Sequence, residues 1–211
     1  MIVIVDSKIA NLGSVIAAFR RLGETVSVSD DPDTVVAADA LVLPGVGAFG
    51  DGMESLRRRG LDLAIHSAVQ AGKPILGICL GMQLLAEESE EFGVHEGLGL
   101  IPGRIVKLVS KPGERVPNIG WCDVRPTRPS VLFRQTSSGT AFYFVHSYHF
   151  LCADQNDAVA AIDFGHAPVT VAVERKNIFG VQFHPEKSQD AGLGVLESFV
   201  THIKKGADHV A

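Results

Sequence analysis

Two short stretches hold residue types that could break an amide bond. Gly77-Ile78-Cys79-Leu80-Gly81 sets a cysteine between two glycines, the pattern G-x-C-x-G. This is the G-x-S-x-G pattern with sulfur in place of oxygen. It describes a sharp strand-to-helix turn that exposes a nucleophile, with glycines where a Cβ would collide. At a helix N-terminus, unpaired N–H groups and the helix dipole favour a thiolate, and the Leu80 N–H is placed to help bind an oxyanion. Taken alone, Cys79 fits a small buried thiol equally well. The second stretch, Gly180-Val181-Gln182-Phe183-His184-Pro185-Glu186-Lys187-Ser188, supplies what a thiol nucleophile needs. A base must take its proton, and a third group must hold the base in one tautomer. His184 and Glu186 are two apart, so in an extended segment both project to one side, with Pro185 fixing the backbone between them. By itself His184 reads as a packed strand-end histidine; together with G-x-C-x-G it reads as a catalytic base.

These residues must be carried by elements that bring them together, and the first half of the chain spells out a framework. Short aliphatic runs at 2–5, 25–29, 40–43 and 75–78 alternate with helical spacing at 12–22, 33–38, about 51–71 and 80–88. Such alternation predicts a parallel sheet covered on both faces, with ligands at the carboxyl ends of its strands, where Cys79 falls. The third strand runs into Pro44-Gly45-Val46-Gly47-Ala48-Phe49-Gly50. Glycines on both sides of Val46 give a loop whose N–H groups can turn inward, and with Cys79 present they read as a second oxyanion donor. A phosphate cradle or a plain tight turn fits the same glycines, and the G-x-G-x-x-G spacing alone is weak.

From Gly97 onward the character changes. Short β-like segments at 100–101, 105–109, 119–124, 141–145, 158–164, 170–175 and 178–183 lie between Gly, Pro and Asn, which predicts more antiparallel pairing. The charge cluster Glu87–Glu91 reads as a solvated helix end, residues 193–203 as a closing helix, and 204–211 as a loose polar tail.

Composition limits the rest. The chain has 211 residues, 46% apolar and 20% charged, which predicts one globular domain over 1–211. No apolar run approaches the roughly 20 residues of a membrane span, and the first residues carry no signal-peptide pattern. Three widely spaced cysteines, Cys79, Cys122 and Cys152, suggest neither a disulfide framework nor a CxxC metal site, and point to a reducing cytoplasm. A formal charge of −5 argues against nucleic acid or an anionic membrane as partner. His146 and His149, read on one strand, face opposite sides and make a poor metal-ligand pair, so no metal or other cofactor is implied.

With its elbow and its Phe-His-Pro-Glu segment, the sequence resembles the class I (triad-type) glutamine amidotransferases. The likeness extends to 43–50, 87–91, 97–103, Gly120-Trp121, 143–148 and 184–188, and there it is similar to the glutaminase subunits of imidazole glycerol phosphate synthases. The resemblance implies a flavodoxin-like amidotransferase fold: a mostly parallel central sheet with flanking helices and extra antiparallel strands in the second half. It implies that Cys79, His184 and Glu186 hydrolyse glutamine to glutamate and ammonia, with Val46, Gly47 and Leu80 around the oxyanion. It further implies that Gly45, Gln83, Glu91, Ser147 and Tyr148 line the glutamine pocket. A synthase or cyclase subunit would form a heterodimer with the chain, with Asn11, Trp121 and Lys187 on the contact face. Two segments depart from the family pattern: Asp6-Ser7-Lys8-Ile9-Ala10-Asn11 lacks both glycines and the tyrosine of Asp-Tyr-Gly-x-Gly-Asn, and Pro117–Cys122 replaces Pro-His-Met-Gly-Trp-Asn. Both belong to the partner-facing side, so they leave open a paralogue serving another synthase, such as one aminating a surface-polysaccharide sugar. A non-catalytic binding subunit would have lost one of the triad residues, and a free-standing cysteine hydrolase would not require Gln83 or Glu91.

Overall fold

The computed structural model describes residues 1–207. Nine strands form one sheet in the order β2 (Val26–Ser29), β1 (Ile2–Val5), β3 (Ala40–Gly45), β4 (Ile75–Cys79), β13 (Ile178–Val181), β12 (Ala167–Arg175), β11 (Ala158–Phe164), β8 (Asn118–Pro126), β9 (Thr140–His146). The five strands from β2 to β13 are parallel, and every pairing beyond β13 is antiparallel. This is the doubly wound order with β13 completing the parallel half. A second, four-stranded sheet runs β10 (Tyr148–Cys152), β7 (Gly103–Lys107), β5 (Glu88–Ser89), β6 (His95–Glu96).

The central strands are apolar along their whole length because both of their faces are covered. Alternate residues divide between two cores, as a period of two requires. Ile2, Ile4, Ala40, Val42, Leu76 and Ile78 pack under α1 (Leu12–Arg21) and α6 (Gln189–Ala207), against Phe19 and Phe199. Val3, Val5, Leu41, Leu43 and Ile75 pack under α2 (Pro32–Ala37), α3 (Phe49–Arg58) and α4 (Leu61–Gln70), against Met53 and Ile65.

Several sequence expectations are corrected. The helix expected over 51–71 is two helices, broken at Gly60, whose left-handed φ of 68° ends one and begins the other. The helix expected over 80–88 is only α5 (Leu80–Gln83). Leu84, Leu85 and Ala86 have helical propensity, but their carbonyls accept from the N–H groups of residues 98–101 instead. Those carbonyl bonds also draw residues 100–101 into a bend rather than a strand. Glu87–Glu91 is not a solvated helix end: Glu88–Ser89 is a strand of the second sheet and Ser89 is buried. The closing helix α6 extends to Ala207, so residues 204–207 of the expected tail are helical, and 208–211 lie outside the described residues.

The carboxyl end of β4 is held in place by close main-chain contact. A Cβ on Gly81 would lie 1.7 Å from the Leu43 carbonyl oxygen, and one on Gly77 would lie 2.6 Å from the Gly81 oxygen. Neither neighbour is a flexible side chain that could yield. Gly81→Ala is therefore expected to destabilise the fold by about 3 kcal/mol, read as a lower urea midpoint. In α6, a Cβ on Gly194 meets nothing, and Gly194→Ala should raise stability by about 1 kcal/mol.

Candidate active site

The parallel register sets the site's parts side by side. Gly45 is the β3 partner of Cys79, and Val181 is the β13 partner of Ile78, so the Gly45-Val46-Gly47 loop and the His184 segment flank the thiol. Cys79 ends β4 and stands at the N-cap of α5, with φ 55° and ψ −112°. A side chain in that backbone region is strained, and here the strain turns the sulfur out of the sheet at a helix start. Cys79 is 7% exposed, and its Sγ lies 3.9 Å from the Val145 carbonyl oxygen, an acceptor for the thiol proton. Leu80 begins α5, so its N–H has no acceptor within the helix.

His184 lies between Cys79 and Glu186. Its Nδ1 is 2.8 Å from Glu186 Oε1, and its ring is also within electrostatic reach of Cys79. Burial opposes the imidazolium, but the influence of Cys79 and the bond to Glu186 outweigh it and raise the His184 pKa to about 9. The contact with Glu186 arises otherwise than expected. Pro185–Lys187 is a 3₁₀ turn capped by His184, and the turn, not an extended strand, brings the carboxylate back to the ring. The His184 backbone is fixed on both sides: its N–H donates to the Tyr143 carbonyl, and its carbonyl accepts from Ser188 Oγ, which in turn accepts from the Tyr143 N–H.

The Val46 N–H, expected at the oxyanion, donates to the Ile9 carbonyl at 2.9 Å. Gly47, next along, takes a φ of 99°. Gln83 is buried, its Nε2 donating to the Tyr148 carbonyl at 3.2 Å and to Gln182 Oε1 at 2.9 Å. Glu91 Oε2 accepts from the Phe49 N–H at 2.7 Å and so caps α3, whose own N-cap residue, Ala48, offers no side-chain acceptor. The Ser147 carbonyl accepts from the Leu108 N–H at the break between β9 and β10. That break puts His146 and His149 on different strands, and among the described residues no group of His, Cys, Asp and Glu could hold a metal.

The residues expected on a contact face are exposed. Asn11 occupies the N-cap of α1 without a side-chain capping bond. Lys187 is exposed directly after Glu186. Trp121 is 50% exposed and meets Tyr143 edge-on. Ile119 and Val145, register partners on the same hairpin, are exposed beside it, and the Val145 carbonyl is the one facing Cys79. In the departing segment, Lys8 adopts a left-handed φ of 62° where the family pattern has glycine. Its Nζ bridges Asp6 and Asp30, and its N–H donates to Asp6.

Sequence reasoning passed over Gln182, whose Nε2 is 3.8 Å from Cys79 Sγ, and Ser188, which anchors His184. The available signal is polarity: Gln182 is a polar residue directly after an apolar strand, Ser188 closes the turn that follows His184, and both are fully buried.

A doubly wound sheet with a cysteine elbow backed by histidine and glutamate defines a triad-type hydrolytic site. Residues 3–203 match the family model for "Glutamine amidotransferase class-I", and the chain belongs to that family. It is 46% identical to the imidazole glycerol phosphate synthase subunit HisH of Salinibacter ruber, over 94% of this chain and 93% of that protein. It is 48% identical to the subunit of the same name from Sulfurimonas denitrificans, over 96% of this chain and 98% of the relative. Among solved structures, PurLQS from Thermotoga maritima superposes with a TM-score of 0.73 at 19% identity, covering 96% of this chain and 98% of that one. A structure described as a glutamine amidotransferase gives 0.72 at 20%, covering 94% and 98%. At these identities the structural likeness concerns the fold.

The raised His184 pKa carries a stability signature. A group whose folded pKa exceeds its unfolded 6.5 stabilises the fold fully below pH 6.5 and loses that contribution as pH rises through about 9. At 1.36 kcal/mol per unit the loss is about 3 kcal/mol. Denaturant unfolding at several pH values should show this fall in the natural sequence and a flatter profile in His184→Ala.

Proposed function

We propose that the chain is the glutamine-hydrolysing subunit of an imidazole glycerol phosphate synthase, acting in histidine biosynthesis as one amidotransferase domain in the cytoplasm. The observation that carries this reading is His184, bridging Cys79 and Glu186 on a chain that aligns along nearly its whole length with relatives of that name. Three free cysteines fit a reducing compartment. No helix among the described residues is long and apolar enough to cross a membrane.

In this mechanism Cys79 Sγ attacks the γ-carboxamide carbon of glutamine, and the carbonyl electrons move onto oxygen. The Leu80 N–H and a donor from the Gly45-Val46-Gly47 loop stabilise that oxyanion. At neutral pH an imidazole with a pKa of about 9 holds its proton, so His184 is set to protonate the departing nitrogen. The C–N bond breaks, ammonia leaves and a glutamyl thioester remains. Water, deprotonated by His184 with Glu186 holding the ring, then releases glutamate and the free thiol. Gln83, Glu91 and the main chain at Ser147 and Tyr148 hold glutamine in this scheme.

Ammonia set free in water would be diluted and protonated, so it must pass to a synthase subunit docked over the thiol. The exposed Ile119, Trp121 and Val145, grouped around the half-buried Tyr143 and continuous with Cys79 through the Val145 carbonyl, support docking there, and Asn11 and Lys187 are exposed as well. The Val46 N–H is bonded to Ile9, and the flanking glycines let that peptide turn at low cost. Docking then completes the oxyanion site, and the isolated chain is a weak glutaminase.

Cys79→Ser should lower glutamine hydrolysis on the order of a thousandfold or more, while Cys122→Ser and Cys152→Ser stay near the natural rate. Lys187→Glu should reduce glutamine-driven synthesis by the assembled enzyme but spare ammonia-driven synthesis. Full glutaminase activity in the isolated chain, unaltered by any companion, would refute the docking and favour a free-standing hydrolase.

A further inference from the structure

Gln182 has no part in the triad, yet its side chain joins two groups of the site and is wholly buried. Its Oε1 accepts from Gln83 Nε2 at 2.9 Å, and its Nε2 lies 3.8 Å from Cys79 Sγ. Oxygen and nitrogen of an amide are distinguished by their partners, and here the partners lead back to an atom that cannot donate. That atom is the Tyr148 carbonyl oxygen, 3.2 Å from the Gln83 amide. Gln83 must turn its NH₂ toward it. The second N–H of the same group then points at Gln182, so the Gln182 atom it meets must be oxygen. The nitrogen of Gln182 is left facing the sulfur, where it donates.

The anchor at Tyr148 is reinforced from the other side. His146 Nδ1 lies 2.9 Å from the same carbonyl and donates to it, and His146 Nε2 accepts from Asn118 Nδ2 at 3.1 Å. Burial lowers the His146 pKa to about 4, so the ring is neutral and its tautomer fits both bonds.

We infer that Gln182 is the hydrogen-bond donor that stabilises Cys79 as a thiolate, its direction fixed through Gln83 by the Tyr148 carbonyl. The inference rests on Cys79 being the nucleophile. A hydrogen bond to a charged acceptor is about twice as strong as one to a neutral acceptor, so this N–H favours the thiolate over the thiol. It complements His184, the titratable group facing Cys79, with Glu186 behind it and His146 within electrostatic reach of the ring. His184 gives up its proton to the leaving nitrogen and must then act as a base. The amide N–H cannot titrate, so it still supports the sulfur when the thioester breaks and Cys79 departs with the electron pair.

The test is the pH profile of Cys79 alkylation by iodoacetamide, read by peptide mass spectrometry on the full chain and on Gln182→Met and Gln182→Glu. Methionine keeps the length and removes the donor. The alkylation midpoint should rise by about one pH unit, lowering the neutral-pH rate about tenfold and leaving the high-pH plateau unchanged. Glutamate keeps the acceptor for Gln83 and puts oxygen against the sulfur, so its midpoint should rise further. A role confined to packing would alter stability without moving the midpoint. Midpoints that stay put or fall in both variants overturn the inference while leaving Cys79 as nucleophile. A natural-sequence Cys79 that resists alkylation while Cys122 reacts overturns the nucleophile assignment and the inference with it. If neither variant folds, the Gln182 side-chain amide resonances of the ¹⁵N-labelled natural sequence decide. They should shift with the same midpoint as Cys79 alkylation, and a flat response there contradicts the inference.

Discussion

Everything in the site depends on one strained backbone position. Cys79 holds φ 55° and ψ −112°, a conformation that costs a non-glycine residue about 1–3 kcal/mol. The surrounding chain leaves it no alternative. Gly81 passes so close to the Leu43 carbonyl, and Gly77 to the Gly81 carbonyl, that the turn is clamped between β3 and its own first helical residues. The strain lifts the sulfur above the end of the sheet and sets it at a helix start, where the next N–H is unclaimed. Both thiols are buried, but the Cys79 sulfur meets the Val145 carbonyl and the Gln182 amide, whereas burial pushes the Cys152 pKa up to about 12.

The sheet's change of direction places the remaining groups. Through β13 the strands are parallel and their carboxyl ends share one edge, so Gly45, Cys79 and the His184 segment arrive together by register. Beyond β13 the strands turn antiparallel, and the outermost hairpin, β8 and β9, returns to that edge with the Val145 carbonyl against the sulfur and the Tyr143 main chain holding His184. The parallel half thus supplies Cys79 and the Gly45-Val46-Gly47 loop, and the antiparallel half supplies the anchors and the exposed apolar face. Cys79 and the exposed apolar face are neighbours because Val145 belongs to both, its carbonyl against the sulfur and its side chain exposed.

Local signals made much of this legible. The bounds of β1 and β11 and the elbow itself follow from the apolar runs and glycines, because burial on both faces and a forced left-handed turn leave marks in adjacent residues. What stayed hidden was decided by distant partners. Leu84–Ala86 has helical composition, yet residues 98–101 claim its carbonyls. Glu91 reads as a solvated acid until Phe49, far away in sequence, is seen to need a cap. His184 and Glu186 meet, but through a 3₁₀ turn where their spacing predicts a shared strand face, since residues two apart can meet in either. Gln182 gave no pattern at all, only a polar side chain where an apolar one would be ordinary.

The central claim is that Cys79 carries the acyl group between the two halves of glutamine hydrolysis. An acid-quenched peptide map, taken during steady turnover of glutamine by the chain with its synthase subunit, tests it most directly. The account predicts a glutamyl adduct on the peptide containing Cys79, absent from those containing Cys122 and Cys152. Continued ammonia release with the adduct on another residue would contradict it.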